Sequence, residues 1–154
     1  MKYFSLLAGA VLFLSQCQSK EIPQADIPLT DTEFRIKLHQ TVPLMANNKT
    51  EAGEITFMEL NDSRCPADAM CIRQGAAVTT FRVTLPQNQE TQIVRLFIGD
   101  FMPNDPRNKR NLTADTVTIS SGNNTHYRLM LQQVGPYPGT GQETPQATLK
   151  LIRN

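Results

Sequence analysis

Tryptophan is absent from this 154-residue chain, aromatic residues make up 6%, and histidine occurs twice. A core must therefore come from Leu, Ile, Val, Phe and Met, and chemistry that needs clustered imidazoles has little to draw on. Charge of one sign is also missing, with Lys+Arg 15 against Asp+Glu 14. Such a balance gives no electrostatic reason to expect nucleic acid, whose binding needs a basic patch. It equally lacks the polybasic segment that would hold an anionic membrane surface. Ten prolines and eight glycines are spread along the chain, which argues against long helices. No G-x-x-x-x-G-K-[ST] loop opens a helix, so phosphate-cradle chemistry has no support. No G-x-S-x-G elbow surrounds Ser63, and no Met-x-x-Met cluster accompanies Met58, Met70, Met102 and Met130, which read as core filler. The run from Asp100 to Arg107 has scattered carboxylates without the spacing of a calcium loop.

What is present begins at the N-terminus. Met1-Lys2-Tyr3 gives a short positive start, and Phe4 to Leu14 is nearly all apolar or small. That run is too short for a transmembrane helix of roughly 20 residues and has the shape of an export signal. Leu14-Ser15-Gln16-Cys17 follows, and it resembles the lipobox of bacterial lipoproteins, with Gln16 where a small residue is usual. The resemblance implies a signal peptide over residues 1–16, a Cys17 acylated on sulfur that becomes the mature N-terminus, and attachment to a membrane through lipid. Removing residues 1–16 takes away only Lys2, leaving 14 bases against 14 acids. By the same resemblance, the lack of Asp after Cys17 places the chain in the bacterial envelope at the outer membrane. Lys20-Glu21 resembles the surface-export signals of Bacteroidetes lipoproteins, and Asp115-Thr116-Val117 resembles their O-glycosylation sequence. Residues 17–30, polar and with two prolines, read as a flexible tether.

From residue 31 to 154 the pattern has period two, which predicts a single β-domain. Phe34, Ile36 and Leu38 alternate with charged or polar neighbours; Ile55 and Phe57 open a second run ending near Leu60. Ala77 to Leu85, Val94 to Ile98, Val117 to Ile119, Tyr127 to Leu131 and Leu149 to Leu151 continue the series. Turn clusters at 46–49, 86–88, 103–106 and 121–124 separate them. The expectation is an all-β, antiparallel β-sandwich of about seven strands, Ig-like in size, with a small barrel as the alternative.

The most distinctive segment is Asp62-Ser63-Arg64-Cys65-Pro66-Ala67-Asp68-Ala69-Met70-Cys71-Ile72. With Cys17 assigned to lipid, two cysteines remain in an oxidising compartment, and a Cys65–Cys71 disulfide is the default. Closing so short a ring stabilises by about 2 kcal/mol in the chain-entropy picture. The pair lacks the further ligands of a metal site and the C-x-x-C spacing of thiol oxidoreductases, so neither a metal nor a cofactor is expected. Asp62 and Arg64 flank the ring as a loop clamp or a binding surface. D-S-R-C-P followed by C-[IV]-x-x-G resembles a family of uncharacterised secreted and lipoprotein β-domains of bacteria, in which Trp-Ala usually stands where this chain has Arg73-Gln74. Tyr127-x-Leu129-x-Leu131, Pro136-Tyr137-Pro138 and the closing alternating strand extend the similarity over most of the chain. The resemblance implies a fold class and an envelope location, and no activity.

Three functions compete at this stage. The leading expectation is a non-enzymatic binding or structural module with a protein or glycan partner. A protease inhibitor presenting an exposed Arg64 on the Cys65–Cys71 loop is the second. The third is an envelope hydrolase built around His126 with a carboxylate and a hydroxyl, His39 and His126 otherwise being solvated side chains.

Overall fold

The computed structural model describes residues 27–28, 31–46, 50–85, 91–100, 113–121 and 125–153. The signal peptide, Cys17 and most of the tether fall outside the described residues, as do the turn clusters at 47–49, 86–88, 103–106 and 122–124.

Alternation of apolar and polar residues produces strands wherever it was expected, and two further ones. In chain order these are β1 (Ile27–Pro28), β2 (Thr32–Lys37), β3 (Thr41–Ala46), β4 (Thr50–Asp62), β5 (Ala76–Thr84), β6 (Thr91–Gly99), β7 (Asp115–Ser120), β8 (His126–Gly135) and β9 (Gln146–Arg153). They form two sheets, β1-β3-β4-β5-β6 and β2-β9-β8-β7. Every pairing is antiparallel except the two-residue contact of β1 with β3. The sheets do not close on each other, so the architecture is the sandwich and not the barrel. The additions to the expected seven are β1 and β3, the latter interrupted by Pro43, which lies on the side of the sheet where only β1 follows.

The inward faces meet in one core. Phe57, Phe81, Ile55 and Leu96 from the first sheet face Ile36, Ile119, Leu129, Leu131 and Leu149 from the second, all nearly inaccessible to solvent. Phe57 and Phe81 sit opposite each other across β4 and β5 with ring centroids 4.9 Å apart.

Two β-bulges change which residues look inward. Along β4, Ile55 and Phe57 face the core, then Met58 is inserted without a partner on β5, and Leu60 and Asp62 become the inward positions opposite Thr79 and Ala77. Along β8, Tyr127, Leu129 and Leu131 face inward, Gln132 is the extra residue, and Val134 takes the next inward place. An inserted residue shifts the period-two register by one, which is the usual effect of a bulge. Here the two shifts turn Asp62 and the Val134 region toward each other at the same end of the sandwich.

One polar link between the sheets is Asp115 at the start of β7. Its carboxylate is buried; Oδ2 accepts the Phe97 amide of β6 at 3.0 Å and Oδ1 accepts the Thr116 amide at 2.9 Å. Gln92 Nε2 donates to the Ser120 carbonyl at 2.8 Å, joining the same two strands at their opposite ends. Asp115→Ala removes the carboxylate that accepts the Phe97 and Thr116 amides, so urea unfolding is expected to show a loss of about 1–3 kcal/mol. A midpoint unchanged from wild type would mean the link contributes nothing.

Candidate functional site

The end of the sandwich where β4 finishes and β5 begins carries the cysteine loop. Its base is laid by three backbone contacts: Ser63 N donates to the Ala76 carbonyl at 2.9 Å, Cys65 N to the Gln74 carbonyl at 2.7 Å, and Asp100 N to the Gly75 carbonyl at 2.8 Å. Gly75 has φ +68°, and a side chain there would run into the Ser63 carbonyl. This is the physical reason for the glycine at the end of the C-I-x-x-G pattern. The Ser63 hydroxyl is occupied as well, donating to the Ala76 carbonyl at 3.0 Å and accepting the Ala76 amide at 3.2 Å. It serves the loop and is not a poised nucleophile.

Above that base stands Arg64, which is 9% exposed. Its Nε donates to Asp62 Oδ1 at 2.8 Å and its Nη2 to Asp62 Oδ2 at 2.6 Å, a bidentate pair. Nη1 donates to the Val134 carbonyl at 3.0 Å, Nη2 also reaches the Pro136 carbonyl at 3.4 Å, and the guanidinium carbon lies 4.6 Å from the centre of the Tyr137 ring. Asp62 Oδ1 also accepts the Arg64 amide at 3.1 Å. Spacing explains why this pair forms: Asp62 and Arg64 are two apart in an extended stretch, so both side chains project the same way. Their common direction is inward because of the bulge at Met58.

In this geometry Asp62 and Arg64 link the base of the loop to the end of β8. The same geometry corrects one expectation. An inhibitor that offers Arg64 to a trypsin-like enzyme needs that side chain in solvent, whereas here the guanidinium is covered and committed to Asp62, Val134, Pro136 and Tyr137.

The ring itself is closed by the Cys65–Cys71 disulfide, with Cα atoms 5.8 Å apart. It leans on the turn after β8, where Ala67 N donates to the Pro138 carbonyl at 2.9 Å and Gly139, at φ +82°, leaves room for the Asp68 carboxylate. Beyond these supports the loop faces solvent. Met70 and Ile72 are 102% and 105% exposed, so each stands entirely clear of its own domain. Met70 thus departs from the expectation that methionines fill the core, while Met58 and Met130 are half-buried. Between the ring and Tyr137 lies an open depression of about 380 Å³, lined by Cys65, Pro66, Ala67, Met70, Gln74 and Tyr137. A second depression, of about 510 Å³, lies on the outer face of β4, β5 and β6 beside Glu59, Thr80 and Arg95.

Neither histidine joins this site. His39 is in the turn after β2, with φ +66°, and His126 starts β8 at the other end of the sandwich. His126 Nδ1 lies 3.3 Å from the Ser120 hydroxyl, an exposed cross-strand pair. Among the described residues no carboxylate bonds its second nitrogen, and no group of three or more His, Cys, Asp or Glu side chains could hold a metal ion.

The clamp predicts a measurable asymmetry. Arg64→Met strands the Asp62 carboxylate in a mostly covered position and is expected to lower stability by about 3–5 kcal/mol. Adding Asp62→Asn to that variant should recover part of the loss, the coupling being read from urea midpoints of the four chains in a double-mutant cycle. Additive losses would show that the two side chains act independently. Compared with known proteins, the chain matches no protein-family model, no curated protein and no solved structure.

Proposed function

We propose that this chain is a lipid-anchored protein of the bacterial envelope, at the outer membrane, that acts by binding and not by catalysis, with the cysteine loop as its working surface. The observation that carries the reading is the placement of large apolar side chains. Among the described residues four of these are exposed, namely Met70, Ile72, Ile93 and Tyr137, and three of the four belong to the loop and its neighbouring turn. Single exposed apolar residues are ordinary on any surface. A group of them on a loop held by a disulfide and a buried guanidinium is the kind of feature that marks a contact surface. A protein or glycan fits this reading, and nucleic acid does not, given the balanced charge.

The direction of the chain supports it too. Ile27 lies beside Leu44, close to the end of the first sheet where β5 finishes at Thr84. The cysteine loop is at the other end, where β5 begins at Ala76. Nine residues of strand separate these ends by roughly 25 Å. Because Ile27 is already paired in the first sheet, the stretch from Cys17 to Ile27 spans at most roughly 35 Å when extended. The cysteine loop is thus at the opposite end of the sandwich from Ile27, which supports its reading as the surface presented away from the anchor.

The test begins with protein taken from its native membrane fraction. Its intact mass is expected to correspond to a chain that starts at Cys17 and carries acyl groups, with Cys65 and Cys71 alkylated only after reduction. Cys17→Ser should move the protein from the membrane to the soluble fraction, because stable anchoring needs acyl chains. An unacylated wild-type mass, or a Cys17→Ser variant that stays with the membrane, would overturn the reading.

A further inference from the structure

The segment Met70–Arg73 is unlike the rest of the cysteine loop in its bonding. All four residues are exposed, and the chain bends at Ile72 and Arg73, so the stretch is convex. Among the described residues, none of the four takes part in a backbone–backbone hydrogen bond, which leaves their amides and carbonyls open to a partner. Yet the stretch is pinned on both sides. Gln74 is bonded to Cys65 N at 2.7 Å, and Ala69 N is bonded to the Pro66 carbonyl at 3.1 Å, with the disulfide between them. An open backbone on a convex, braced segment fits a concave partner that reads peptides through main-chain hydrogen bonds and a socket for one side chain. A flat partner could not surround a side chain as exposed as Met70, whereas a cleft with a pocket could.

We propose that the loop docks in the substrate cleft of a serine endopeptidase whose primary pocket takes apolar side chains, with Met70 in that pocket, making the domain a protease inhibitor. The proposal deepens the reading of the loop as the working surface and rests on it. Met70 is selected over Ile72 by the covalent topology. The Met70–Cys71 peptide bond lies inside the ring closed by Cys65 and Cys71. Hydrolysis there consumes one water, leaving a carboxylate on Met70 and an amine on Cys71. Both new ends remain in one molecule through the disulfide, so the segment is not lost from the cleft and the bond can re-form with release of that water. The Ile72–Arg73 bond lies outside the ring and has no such protection. Methionine is unbranched and adaptable, which suits a deep apolar pocket. The depression between the ring and Tyr137 gives the rim of the cleft a place to sit beside Met70. The bracing of the loop reduces the ordering that binding would otherwise require.

The test uses the detergent-solubilised full chain, first weighed and alkylated to establish acylation and a closed ring. Inhibition of chymotrypsin, elastase, subtilisin and trypsin is then followed with chromogenic peptide substrates. The expected result is inhibition of at least one of the first three and none of trypsin. Met70→Gly should weaken that inhibition by about 100-fold or more, and Met70→Arg should transfer it to trypsin. Met70 is fully exposed, so circular dichroism of both variants should match wild type. Reduction of the disulfide should convert the loop from inhibitor to substrate, cut after Met70. No inhibition of the three apolar-pocket enzymes by an acylated, ring-closed chain would overturn the inhibitor alone. Inhibition indifferent to Met70→Gly would do the same, and a chain with neither lipid nor closed ring would remove the reading beneath it.

Discussion

The bidentate pair of Asp62 and Arg64 is the constraint on which the end of the molecule depends. A guanidinium that is 9% exposed is stable only when its donors are met and its charge is balanced. Here the carboxylate balances the charge, the carbonyls of Val134 and Pro136 take further donors, and the Tyr137 ring covers one side. Because those partners come from the end of β4 and from the end of β8, the arginine joins the two sheets at one end of the sandwich. The disulfide closes the ring, but the arginine fixes where the ring stands.

That arrangement requires the two bulges. Without the extra residue at Met58, the period-two pattern that buries Ile55 and Phe57 would send Asp62 outward, and the salt bridge would form in water with little net value. Without the extra residue at Gln132, the inward series of Tyr127, Leu129 and Leu131 would continue to Gln133 and leave Val134 outside. Local irregularity in each strand is thus what makes the regular parts meet correctly.

The strands from β4 to β9 and β2 were legible because half-buried strands write their two faces into alternate residues, as Phe34 and Ile36 or Val94, Leu96 and Ile98 do. The disulfide was legible from the count of cysteines and the compartment that the N-terminus implied. β3 was not, because Thr41–Ala46 contains a proline and reads as a link between the first run and the turn cluster after it. Nor were the bulges, since no residue type marks Met58 or Gln132 as an insertion. The burial of Arg64 was hidden for the same reason: its place as a clamp could be suspected from Asp62 two residues earlier, but its direction depends on the register of a strand. The exposure of Met70 and Ile72 was also unreadable, because a short irregular loop gives apolar residues no periodicity from which to infer a face.

Asp115 has a consequence beyond joining the sheets. β6 and β7 are the outer strands of their respective sheets on one side of the sandwich. An outer strand offers a row of amides on which a strand from another molecule can add. The Phe97 amide is removed from that row by the Asp115 carboxylate, and on the far side, where β1 pairs only with Leu44 and Met45 of β3, Pro43 contributes no amide. Crowded copies of the domain therefore meet interrupted templates on both flanks of the five-stranded sheet, a safeguard against runaway strand-to-strand polymerisation.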